Sequence, residues 1–227
     1  MKYGESTFDI LYLLFAILSG ILLLIKRKDK TGRLMGLAAL VLGCGDAFHL
    51  VPRVLNYFVD ADFTVALGIG KWVTSVTMTV FYVFMYHIWA GLRKRNENPE
   101  QAPAKQTFLT GPVPVYWIAA TRIVLCMFPQ NGWFQNESPL HWAIIRNVPF
   151  VLLGVLIILL YFGIRKEERT FRFVWLLITL SFLFYMPVAV GAGFLPILGM
   201  LMLPKTVCYI LLIVVFWMDT RKQTKPV

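Results

Sequence analysis

The chain has 227 residues, of which 58% are hydrophobic and only 15% charged, with a mean hydropathy of +0.68. That apolar share is beyond what a soluble domain of this size needs for its core, and it points to an all-α polytopic membrane protein. The net charge of +10 would suit nucleic acid, but sixteen of the 22 Lys and Arg residues fall in four short segments (26–33, 93–105, 165–172 and 221–225), a membrane distribution that excludes nucleic acid as the partner.

Seven transmembrane helices are expected, over 8–25, 34–57, 63–90, 113–129, 140–163, 172–190 and 196–217, each near the ~20 residues that cross a bilayer. The first apolar run, Ile10 to Ile25, is followed by Lys-Arg-Lys, whereas a cleaved signal carries its basic residues in front, so it is read as a retained span. The four basic segments fall on alternate connections, and the opposite ones (56–63, 130–140 and 191–196) contain no Lys or Arg. The positive-inside rule therefore places the N-terminus outside and the C-terminus in the cytoplasm of a multi-pass protein, expected in the plasma membrane. Trp89 and Trp217 near the inner ends, and Trp133 and Trp142 near the outer side, suit interfacial belts.

The second span contains Gly43-Cys44-Gly45-Asp46-Ala47-Phe48-His49-Leu50-Val51-Pro52-Arg53. Asp46, His49 and Arg53 are spaced i, i+3, i+7 and share one helix face. Pro52 donates no backbone hydrogen bond and leaves the Phe48 carbonyl without its usual partner. A carboxylate one turn from an imidazole can orient it as a general base or relay a proton. The structural alternative is an Asp46–Arg53 or Asp46–Lys ion pair, with His49 as a core hydrogen-bonding group.

Further along, Lys71, Arg122, Arg146 and Lys205 join Arg53 as cations within apolar runs, all in the outer half of their spans. Each would cost about 2.5–3.5 kcal/mol at the bilayer centre on insertion scales, so each should face the bundle interior, a partner or water. Arg146 and Asn147 precede Pro149 by one turn, and Pro204 precedes Lys205; proline-interrupted helices expose carbonyls that can line a cavity. Against these cations stand Asp46, Glu5, Asp9, Asp60, Asp62 and Glu137, which would neutralise them if the purpose were structural. The loop acids, already solvated near the interface, compete poorly for Lys71 and Lys205. Cys44, Cys126 and Cys208 match no zinc pattern and are read as small core residues, no cofactor or metal is implied, and Asn136-Glu137-Ser138 matches a glycosylation acceptor, a pattern frequent by chance.

The two halves of the chain resemble each other. Residues Ile25 to Arg33 align without gaps on Ile164 to Arg172; Leu67, Lys71 and Val73 align on Leu201, Lys205 and Val207. Pro52 and Pro187 fall 19 and 18 residues before those lysines. A parallel duplication follows, with domains at 1–94 (helices one to three), 95–130 (linker and helix four) and 131–227 (helices five to seven). This 3+1+3 arrangement resembles the SWEET and PQ-loop transporters, the KDEL-receptor fold and the opsin-like groups. What the resemblance implies is a central ligand site between the two triplets.

The expected function is a transporter or binding protein for a small organic anion or an anionic membrane-lipid headgroup. Arg53, Lys71, Arg122, Arg146, Asn147 and Lys205 would hold the ligand in an outward-facing pocket, with arginines as bidentate clamps. The alternative is an intramembrane lipid hydrolase or transferase using Asp46 and His49 as its acid/base pair, although no serine or cysteine nucleophile motif accompanies them. A homo-oligomer is left open.

Overall fold

The computed structural model describes residues 2–96, 107–135, 139–191 and 195–223. The glycosylation acceptor, Glu137 and most of the 95–106 linker lie outside them. Seven α-helices follow in order: α1 (Lys2–Lys26), α2 (Lys30–Phe58), α3 (Thr64–Asn96), α4 (Pro112–Met127), α5 (Leu140–Ile164), α6 (Val174–Gly191) and α7 (Met202–Gln223). Among the described residues there is no strand.

Six of these helices, α6 and α7 counted with the 3₁₀ turns that precede them, are long and apolar enough to cross a membrane, as expected of a multi-pass integral membrane protein. The helix α4, at 16 residues, rises only about 24 Å against a hydrocarbon core of ~30 Å. Leu11, Leu14, Leu18, Leu22 and Ile25 repeat at helical spacing along an exposed face of α1. Exposure of so many large apolar side chains is tolerable only where the solvent is lipid.

Each helix packs on the next, and α7 returns to α1 and α2, closing the ring. Within it, α3 meets α5, and the core between them is aromatic. Tyr82 packs edge-on against Phe81 and Phe150, Phe81 against Tyr209, and the Tyr161 hydroxyl donates to the Met85 carbonyl at 3.0 Å.

Two helices begin otherwise than the hydropathy suggests. The first starts at Lys2, six residues before the expected boundary, so Glu5 is helical and not a loop acid. The seventh opens with a 3₁₀ segment, Pro196–Leu201, and becomes α-helical at Met202. Pro204 therefore lies in a first turn, where its missing N–H costs little, and does not interrupt the helix as Pro52, Pro149 and Pro187 do.

At the end of the bundle carrying the basic connections, hereafter the basic end, charge holds the ring together. Asp219 of α7, its side chain 1% exposed, accepts from Arg27 Nη1 at 3.0 Å and from Arg95 Nη2 of α3 at 3.1 Å. Arg95 also donates to Glu168, between α5 and α6, at 2.7 Å, and Asn96 joins it at 3.1 Å. Four parts of the chain far apart in sequence thus share one buried network. Gly32 makes room for it, because a side chain there would collide with Arg27. Asp29 caps α2 by accepting from the Gly32 N–H at 2.8 Å and binds Arg27 at 2.6 Å.

Asp219→Asn should lower stability by about 3–5 kcal/mol, because it leaves two guanidinium groups facing a buried neutral amide; thermal unfolding in detergent tests it. A second expectation concerns pH. The Arg27 side chain, followed by the Gly32 N–H, holds the Asp29 carboxyl down from the ordinary 3.8 to about 2. A depressed carboxylate stabilises the fold above its unfolded pKa and stops doing so as pH falls through the folded one. The stability difference between the natural protein and Asp29→Asn should therefore be constant above about pH 4 and shrink toward pH 2; melts run across that range check the sign.

Candidate functional site

At the opposite end of the bundle lies a cavity of about 740 Å³, bounded by α2, α3, α5, α6 and α7. Asp46, His49 and Arg53 reach it together because their spacing puts them on one face of α2. Lys71 comes from the second turn of α3, Arg146 from α5 and Lys205 from the first turn of α7. Six of the eight residues singled out from the sequence therefore share one wall. Arg122 and Asn147 do not. Asn147 sits one residue behind it, accepting from the Tyr185 hydroxyl at 2.9 Å and donating to the Ala143 carbonyl at 2.9 Å. Arg122 lies over the Phe150 ring, 3.3 Å from its centroid, and Phe150 in turn packs edge-on against Tyr185.

The approach of α3 to α2 sets where Lys71 stands. At Gly70 the two backbones are so close that a methyl group would overlap the Phe48 carbonyl and the His49 Cα. Pro52 has left that carbonyl without a helical N–H, so α3 packs where α2 lacks one of its own hydrogen bonds. One turn on, the Thr74 hydroxyl donates to the Gly45 carbonyl at 3.1 Å and joins the same pair of helices.

The cations are compensated unequally. Arg53 forms an ion pair with Glu5, whose other oxygen accepts from the Tyr57 hydroxyl at 3.1 Å. That pair realises the structural reading. Arg146 donates to the Asn131 side chain at 3.1 Å and lies 4.3 Å over the Trp133 ring, with no carboxylate at ion-pair distance among the described residues. Lys205 is only 8% exposed, and its ammonium sits 4.7 Å over Tyr185 and 5.5 Å over Tyr209. The exposed Lys71 makes no ion pair or side-chain hydrogen bond among the described residues. Ring faces attract a cation but carry no charge, so these three remain positive as a group. Lys205 also stands in a first helical turn, where the backbone dipole favours a negative partner.

Among the described residues Asp46 is the one acid on the wall, and its Oδ2 accepts from the Tyr12 hydroxyl at 2.6 Å. It makes no hydrogen bond to His49, whose buried Nδ1 has no partner. Behind Asp46 lies Asp9, 4% exposed, with Oδ2 also unpartnered. Tyr12 is the residue the sequence reading missed. Its i, i+4, i+7 spacing with Glu5 and Asp9 on α1 was the available signal, and Glu5 joins that face because the helix begins at Lys2.

No protein-family model and no curated protein matches this chain. Its chemistry must be read from the cavity itself. Among the described residues no group of three or more His, Cys, Asp or Glu side chains is placed to hold a metal ion. What the wall offers is a set of hydrogen-bond donors with net positive charge, able to bind and orient a negatively charged group.

Gly70→Ala should cost about 1–3 kcal/mol by forcing α3 away from α2, while Ile69→Leu on the exposed face should be silent. Thermal melts of the two variants side by side check the assignment of this close approach.

Proposed function

We propose that the protein is a membrane transporter or binding protein for a small organic anion or an anionic lipid headgroup, received in the cavity at the end opposite the basic loops. The observation that carries this reading is the meeting of Lys71, Arg146 and Lys205, from three helices, on one wall whose only carboxylate among the described residues is Asp46. A positive group of that kind inside a bundle is costly unless a negative ligand or water completes it. Since the basic loops take the cytoplasmic side by the positive-inside rule, the cavity opens to the exterior of the plasma membrane.

The two ends of the bundle favour transport over passive binding. The basic end is tied shut by the Arg27–Asp219–Arg95–Glu168 network, while the other end is hollow, the arrangement of one state in an alternating-access cycle. The parallel repeat supports the same reading. Lys71 is the eighth residue of α3, and Lys205 the tenth counted from the start of the 3₁₀ segment at Pro196. Pro52 and Pro187 sit inside the preceding helices of the two triplets. The enzyme alternative would need Asp46 to orient His49; Asp46 is instead held by Tyr12, and no observation favours that reading.

The test is a thermal-shift and proteoliposome-uptake survey of carboxylates and phosphate esters at fixed ionic strength. An anion that raises the melting temperature of the natural protein should bind Lys71→Met or Lys205→Met at least about tenfold more weakly, and the double variant not measurably. Unchanged binding in both single variants would remove the basis of the proposal.

A further inference from the structure

Arg122 is the least compensated charge in the bundle. It is 2% exposed, and both Nε and Nη1 lack any hydrogen-bond partner. No carboxylate among the described residues lies at ion-pair distance. The Phe150 face offsets part of the desolvation cost, but a guanidinium does not deprotonate to escape the rest. Its charge lies close behind the cavity wall: Phe150, on whose face it sits, packs edge-on against Tyr185, and the Lys205 ammonium lies over the Tyr185 ring.

A charge count over the bundle interior at this end is then informative. Arg53 and Glu5 cancel. Lys71, Arg146, Lys205 and Arg122 remain on the positive side, and Asp46 and Asp9 on the negative. Asp60 and Asp62 are exposed beyond the helix ends and are screened by water. Among the described residues, the groups that line or back the cavity therefore carry an excess of two positive charges. A monoanion in the cavity would leave one of them uncompensated in a low-dielectric setting, whereas a dianion would neutralise the group.

Resting on the anion-binding reading, we propose that the ligand is a compact dianion, a dicarboxylate or a phosphate monoester, and that Arg122 imposes this choice by its charge from behind the wall. Arg122 acts here as a specificity-determining residue through the field, and Lys71, Arg146 and Lys205 make the contacts. The cavity volume leaves room for an organic body beside the charged group.

The experiment compares each dianion with the same skeleton carrying one charge less: succinate against monomethyl succinate, and glycerol 3-phosphate against its methyl phosphodiester. Half-saturating concentrations come from thermal shift of the full-length protein in detergent at constant ionic strength. At least one dianion should bind on the order of tenfold or more tightly than its partner. The pair that shows it distinguishes the carboxylate from the phosphate source. Arg122→Gln should erase that ratio while Arg122→Lys keeps it, a readout that mere loss of packing would not separate. Equal affinity within both pairs overturns the dianion assignment while leaving anion binding intact. A ratio that survives in Arg122→Gln overturns the role of Arg122, and no response to any of the four probes overturns the inference together with the reading beneath it. The comparison of pairs in the natural protein needs no variant, so it stands even if Arg122→Gln fails to fold.

Discussion

A positive side chain placed inside a bilayer needs a carboxylate, water or a ligand to complete it, since hydrocarbon supplies no counter-charge. This constraint is met in opposite ways at the two ends of the bundle. At the basic end, Arg27 and Arg95 find Asp219 and Glu168 across long sequence separations, and the charges close on each other. At the cavity end, among the described residues, only Arg53 is closed in this manner, by Glu5. Arg146, Lys205 and Arg122 rest on ring faces, and Lys71 has the solvent of the cavity.

That asymmetry assigns different work to the two ends. A buried, hydrogen-bonded network resists separation, because pulling out one partner strands the others, and it links the α1–α2 connection, α3, the α5–α6 connection and α7. The cavity end has no comparable cross-link among the described residues. Its helices carry the interior prolines Pro52, Pro149 and Pro187, and α7 begins there as a 3₁₀ segment, so its backbone has fewer intrahelical hydrogen bonds to break if it moves.

The acids divide the same way. Asp46 has a single hydrogen bond from Tyr12, and Asp9 lies buried near it. The two temper the cationic wall without closing it. In physical terms the wall is a positive field with a modest negative inset.

Much of the plan was legible in the sequence. Apolar runs near the bilayer length located the helices to within a few residues, because hydrocarbon demands intrahelical hydrogen bonding along every span. The spacing of Asp46, His49 and Arg53 showed one shared face, because helical periodicity is a local property. What the sequence did not reveal was which charge meets which. The pairing of Arg27 with Asp219 spans 192 positions, and the burial of Asp9 depends on where α1 starts and what packs on it. The withdrawal of Arg122 and Asn147 behind the wall likewise turns on helix rotation, which hydropathy does not encode. Spans and faces follow from chain-local physics; compensation of charge is a relation between helices, and only their packing decided it.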